Sequence, residues 1–380
     1  MKHARGQSSS KSWVAGAAAV AVAAALTTGC DESQRKKDLT AATKASASAS
    51  ASVAAAPVAS AASGAPETER PHTRTMLARF KKPKAIAVDG TSAYVMDALS
   101  GDKEQNELLD LLRVGLPGGG EPVRVASRQH AAGTPLLIKG DLFFATAGDK
   151  PDGSGDRLVK IAAGGASATG AAATPVQIAP KALALADPAV ASDGTNLYYL
   201  AAADDKTKLD VMRVPIAGGK PTKVASGDRT ARVLFIAADA KYVYWPEAGR
   251  LAKAPVAGGE VKEVAKVVYA WAAASDGDYL YWSDSPGDNM GMIRRAKVDG
   301  GTTETLASGF SFPVGLALDA KSVFFVNHDA EDGGVYRVPK AGGAVATLIR
   351  GQNHPKRIAV DDRHVYWINV GEGTLSQTDK

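Results

Sequence analysis

Cysteine is almost missing from this 380-residue chain: Cys30 is the only one, so no internal disulfide can form. Histidine is scarce as well. Beyond the first thirty residues only His72, His130, His328, His354 and His364 occur, and none stands in a His-x-His or His-Glu-x-x-His spacing. No Gly-x-Ser-x-Gly elbow and no phosphate-cradling loop is present, which removes the commonest hydrolase and nucleotide signatures. Charge of one sign is also lacking. Of the formal +5, Lys2, Arg5 and Lys11 supply three charges with no acid nearby, leaving two for the remainder. A chain so nearly neutral gives no electrostatic case for nucleic acid. After residue 30 no segment approaches the roughly 18 apolar residues that a spanning helix needs.

What is present begins with an export pattern. A basic start is followed by Trp13 to Leu26, a run without charge, and then by Thr27-Thr28-Gly29-Cys30. The run is too short to span a bilayer and has the length of a signal-peptide core. Residues 1–29 therefore read as a leader. The segment resembles the lipobox of bacterial lipoproteins, with Thr27 where that family usually places Leu. The resemblance implies cleavage before Cys30, acylation of its thiol and amino group, and a membrane anchor on the extracytoplasmic side, inner or outer. The alternative is secretion with an unmodified thiol. Residues 30–70 are dominated by Ala and Ser, interrupted by Pro57, Gly64 and Pro66, and read as a disordered tether.

From residue 71 onward the chain repeats itself. Six times an apolar strand ends at an Asp and an aromatic-rich strand follows within a few residues: Asp89 with Tyr94, Asp193 with Tyr198, Asp239 with Tyr244, Asp276 with Tyr281, Asp319 with Phe324, and Asp361 with Tyr366. A seventh copy has Phe143-Phe144 after Leu136-Leu137-Ile138 but no Asp. Each unit continues to a third strand and a Gly-rich turn such as Ala217-Gly218-Gly219, and then to a fourth strand. A period of about 40 residues with four strands is the signature of a propeller blade. The expectation is an all-β domain over 71–380, a β-propeller of seven four-stranded blades, with six as the alternative count. The last unit has room for only one strand after Trp367, around residues 374–378. Thr75-Met76-Leu77 stands before Pro83 as Thr347-Leu348-Ile349 stands before Pro355. The N-terminal strand is therefore expected to complete the last blade.

Tyr281-Trp282-Ser283-Asp284 is one substitution from the YWTD signature, and Tyr366-Trp367-Ile368-Asn369 is a looser relative. From residue 74 onward the chain resembles the YWTD propellers of low-density-lipoprotein-receptor type, and also bacterial extracytoplasmic TolB-like and NHL-like propellers. The resemblance implies a propeller; the YWTD members have six blades and bind protein ligands.

The repeat register also names candidate contacts. Seven residues before each Asp-equivalent position stand Lys82, Ala131, Ala186, Arg232, Tyr269, Phe312 and His354, with His130 and Asp187 as neighbours. A rigid scaffold carrying varied chemistry at one repeated loop position suits recognition. Lys82, His130, Asp187, Arg232, Tyr269, Phe312 and His354 are therefore the candidate ligand-binding residues. The plain alternative is that they begin strands and meet solvent.

Between second and third strands the loops are acidic, with Asp97, Asp204, Asp205, Asp284, Asp329 and others forming an expected negative rim. Within the rim, Asp149 to Asp156 matches part of a Ca²⁺ loop but lacks its bidentate Glu. No cofactor motif is present, and a divalent metal is the one alternative. The functional expectation is a monomeric, membrane-anchored binding or scaffold propeller for a protein, peptide or envelope polymer. The alternative is a metal-dependent lyase or hydrolase built on His130, His328 and His354.

Overall fold

The computed structural model describes residues 72–98, 108–147, 155–164, 173–184, 187–205, 207–228, 235–247, 249–287 and 289–380; the expected leader, the expected tether and Cys30 lie outside them. Within these residues 28 strands form seven four-stranded antiparallel sheets. The inner strands of blades 1 to 7 are Pro83–Val88, Ala131–Ile138, Val190–Ser192, Ala237–Ala238, Ala270–Ser275, Pro313–Leu318 and Pro355–Val360. Each packs beside the next, and Pro355–Val360 returns to Pro83–Val88, so the ring is closed. The fold is a seven-bladed β-propeller.

Closure follows the expected route. Thr75–Arg79 pairs antiparallel with Thr374–Asp379 and supplies the outer strand of blade 7. The Arg74 guanidinium reinforces the junction by donating to Glu372, Thr374 and Ser376. Joining the two ends of the domain in one sheet leaves no blade open to the next ring position.

The second strands form the core because their paired aromatics point to opposite faces of a sheet. Tyr281 packs toward blade 6 against Val323 and Phe325, while Trp282 packs toward blade 4 against Tyr244 and Leu251. Trp245, Trp282 and Trp367 are wholly buried, each worth roughly 2–3 kcal/mol of hydrophobic stabilisation.

The repeated Asp has a structural task. In Asp193 the Oδ1 atom accepts the backbone N–H groups of Thr195 and Asn196, closing the turn between first and second strands. The same pair of bonds recurs at Asp89, Asp239, Asp276, Asp319 and Asp361. Blade 2 has no Asp because its turn is shorter: Ile138 pairs directly with Asp141, and Lys139 and Gly140 both take positive φ. Such a two-residue turn matches strand twist without a side-chain brace.

Adjacent blades are clasped by a third-strand side chain that the repeat pattern did not reveal. Arg213 donates to the Val256 carbonyl, Lys253 to that of Val298, Arg295 to that of Lys340, and Gln377 to that of Pro117. Each bond runs to the turn after the third strand of the following blade. Gly119 makes one such close approach possible: it has φ +72, and a Cβ there would strike the Leu77 carbonyl of blade 7.

Candidate functional site

Antiparallel blades place the Asp turns and Gly-rich turns at one end of the ring. The connections between blades, and those between second and third strands, gather at the other end, here termed the loop face. The candidates among the described residues fall on that face, just before the inner strands.

In blades 1, 5 and 6 a polar residue at the end of the second strand caps the connection. Asp97 accepts the N–H groups of Lys81 and Lys82, Asn327 accepts that of Phe312, and Asp284 accepts that of Tyr269. In return the Lys82, His130, Tyr269, Phe312 and His354 carbonyls accept N–H groups from Ala98, Ala147, Ser285, His328 and Val370. In blade 2 it is His130, not Ala131, that takes this equivalent place. The last residue of the YWTD-like signature, Asp284, is thus a brace for the connection. Burial pushes the carboxyls of Asp97 and Asp284 up, against the pull of the backbone donors on Asp97 and of Arg294 on Asp284.

Among the described residues, Asp97 and Asp284 do not belong to an exposed acidic rim. Asp97 and Asp284 are buried caps, Asp205 braces Thr207, and Asp329 accepts the N–H groups of Glu331 and Asp332 and the Ser311 hydroxyl. Of the Asp149–Asp156 stretch, residues 149–154 lie outside the described residues, and Asp156 is buried with the Ala184 N–H on its carboxylate. Arg232 also lies outside the described residues.

What the structure brings together is a row of rings over blades 5, 6 and 7. Tyr269 lies 6.3 Å from Trp271, Trp271 meets Phe312 edge-on at 4.5 Å, Phe312 is 5.9 Å from His328, and His328 is 5.0 Å from His354. All five are half-buried, and exposed Val268 adjoins the Tyr269 end. His354 holds φ +53, a left-handed conformation uncommon for a residue with a side chain. Its Nδ1 lies 2.7 Å from Asn353 Oδ1, and His328 Nδ1 lies 3.2 Å from the Pro355 carbonyl.

Trp271 was not among the sequence candidates, and a backbone irregularity explains its place. Ala270 pairs with Asp284 but Ala272 pairs with Ser283, so Trp271 is the extra residue of a bulge. The same register shift makes Lys84, Val314 and Lys356 the extra residues in blades 1, 6 and 7. Bulges re-aim side chains and cluster at functional rims. Each of these stands two residues after a candidate position, a spacing that would have found them.

The remaining candidates flank the channel. Asp187, at the entrance to blade 3, forms an ion pair with Arg357 of blade 7. These blades lie as far apart as the ring allows, so the pair crosses the channel. The other Asp187 oxygen, Oδ1, accepts the Thr134 N–H at 2.6 Å and the Thr134 hydroxyl at 2.8 Å, from blade 2. Burial works to raise the Asp187 carboxyl, but Arg357 and Thr134 outweigh it and hold the group below the ordinary range. Gly315 lets the strand that carries Arg357 approach, since a Cβ there would crowd the Lys356 carbonyl at 2.9 Å and the Arg357 Cα at 3.4 Å. No group of three His, Cys, Asp or Glu side chains placed to hold a metal ion occurs among the described residues.

No protein-family model matches the chain, and no curated protein does. Solved structures match its fold. A catalytically inactive virginiamycin B lyase from Staphylococcus aureus with quinupristin is 11% identical with a TM-score of 0.57, covering 81% of this chain and 99% of that one. An oligogalacturonate lyase in complex with manganese is 14% identical with a TM-score of 0.56, covering 82% and 96%. BamB from Moraxella catarrhalis is 13% identical with a TM-score of 0.46, covering 78% and 82%. At these identities the likeness is one of fold, and the propeller is a scaffold that serves lyases among other proteins.

Proposed function

We propose that this is an exported binding or scaffold propeller that recognises a protein, peptide or envelope polymer through its loop face. Acyl chains on Cys30 hold it, as a monomer, on the extracytoplasmic side of a membrane, with the tether as a spacer. The observation that carries the reading is the row Tyr269, Trp271, Phe312, His328 and His354, continued by the bulged cations Lys356 and Lys84. Trp and Tyr are among the side chains that dominate binding energy at interfaces. Trp271 and Phe312 rest on the core between blades 6 and 7 and keep part of each ring exposed on the loop face.

The test is affinity capture from envelope extract with the full chain. Trp271→Ala combined with Phe312→Ala should abolish capture of the partner while circular dichroism retains the strand signal. Capture undiminished by the double substitution overturns the reading. Cys30→Ser should eliminate palmitate labelling and release the protein from membranes. The lyase reading keeps one supporting observation, the neighbouring His328 and His354 rings. Stoichiometric metal in the purified protein, lost in His354→Ala, would favour it instead.

A further inference from the structure

We propose that the channel mouth is a carboxylate-binding cradle, occupied from within by Asp187, and that the ligand group it takes is the free carboxyl terminus of a peptide with an apolar last residue. This rests on the binding reading of the loop face and specifies its ligand.

Three donors from two blades converge on one carboxylate. The Thr134 N–H and hydroxyl meet Oδ1, and the Arg357 guanidinium meets Oδ2. The charge of Lys356 adds to the attraction. Backbone N–H, hydroxyl and guanidinium around a single anion form the arrangement that recognises carboxylates in general. The occupant is reachable, with 26% of the Asp187 side chain exposed against 16% for Arg357. Asp187 comes from a third blade, so its side chain can turn away without disturbing the donors. A half-buried guanidinium left unpaired is unfavourable, which makes an incoming carboxylate the natural replacement.

The position of the cradle selects the rest of the ligand. His354, the last ring of the aromatic row, is three residues before Arg357 on the same chain segment, and His328 contacts Pro355 between them. A carboxylate held at Arg357 therefore has the His354 and His328 imidazoles, and beyond them the Phe312 and Trp271 rings, on the side of blades 6 and 5. A peptide end offers that combination: one carboxylate with one apolar side chain beside it. A polymer with a carboxylate on every unit would call for a cation beside every ring, whereas the stretch from Tyr269 to Phe312 is built from aromatic rings.

The experiment uses the full chain and three probes: N-acetylphenylalanine, its amide, and galacturonate. Binding is read by calorimetry and by the shift in melting temperature at constant ionic strength. Asp187→Asn, which keeps the shape and removes the competing charge, should bind N-acetylphenylalanine about tenfold more tightly than the unsubstituted protein does. The amide should bind at least tenfold more weakly than the acid, and adding Arg357→Met should remove the difference. Acetate should raise the melting temperature of Asp187→Asn, and of Asp187→Ala if that variant folds. Equal binding of acid and amide, or no carboxylate response in either Asp187 variant, overturns the cradle. Tighter binding of galacturonate than of N-acetylphenylalanine overturns the peptide assignment. Loop-face capture in the envelope experiment is independent of these outcomes, so the two proposals fail separately.

Discussion

The Tyr198 hydroxyl donates to Asp193 Oδ2 at 2.6 Å, tying the first residues of the blade 3 second strand to the turn that precedes it. The same bond joins Tyr94 to Asp89, Tyr244 to Asp239, Tyr281 to Asp276 and Tyr366 to Asp361. In blade 6 the aromatic is Phe324, which has no hydroxyl, and Lys380 reaches the same Asp319 oxygen at 3.0 Å. The repeat therefore conserves the turn geometry within the chain while exchanging the donor. Tyr198→Phe should lower stability by about 1–2 kcal/mol, the usual cost of losing a hydrogen bond to a charged group. Urea denaturation reads this directly, and a midpoint unchanged within error would show the bond to be dispensable.

Acid should unfold the propeller through these turns. At Asp89, Asp193, Asp276, Asp319 and Asp361 burial pushes the carboxyl up, but the turn and side-chain hydrogen bonds prevail and hold it below the ordinary 3.8. A carboxyl depressed in the folded state contributes stability that is fully present above its unfolded value. That contribution is lost as pH falls from about 3.8 through the depressed value. The urea midpoint should fall steeply below pH 4. A midpoint flat to pH 2.5 would contradict the assignment.

Asp97 runs the other way. Its folded value is raised, so its ionisation is a penalty that is absent below 3.8 and grows as pH rises through the raised value. Asn327 and Asn369 already occupy the equivalent place in blades 6 and 7, and the Asn327 amide oxygen accepts the Phe312 N–H. Asp97→Asn should therefore fold normally. Relative to the unsubstituted protein it should gain stability between pH 3 and pH 7, whatever the constant cost of the amide. A relative loss across that interval would refute the account.

The junction in blade 7 is the point on which the ring depends. Removing residues 72–82 strips the outer strand from Thr374–Asp379 and the Arg74 contacts to Glu372 with it. The exposed strand edge should promote self-association, because an unpaired edge offers a template to another chain. Cooperative thermal unfolding should be lost or shifted down by more than about 10 °C, as expected when several kcal/mol are removed. An unchanged melting temperature would mean that the other six blades close the ring without it.

Much of this architecture is legible in one dimension. Period, Asp turn, aromatic pair and Gly-rich turn recur because every blade solves the same packing problem with its own residues. The swap of the N-terminal strand into the last blade follows from the shared phase of Thr75 and Thr347 relative to the prolines after them. The candidate positions Lys82, Tyr269, Phe312 and His354 were also named by phase alone, because connections inherit the register of the strands they join.

Other features needed the folded ring. Trp271 enters the aromatic row through a bulge, and one extra residue in a strand changes side-chain direction without marking the composition. The third-strand clasps, such as Arg213 to Val256, join residues more than forty apart in neighbouring blades. Asp284 reads as an exposed acid in an acidic loop until burial shows it to be a brace. Asp187 and Arg357 stand 170 positions apart and meet only because closure sets blade 7 opposite blade 3. Sequence alone determined what each blade is, since local periodicity dictates strands and turns. Tertiary structure decided which side chains share the channel mouth, because that follows from the number of blades and the curvature that closes them.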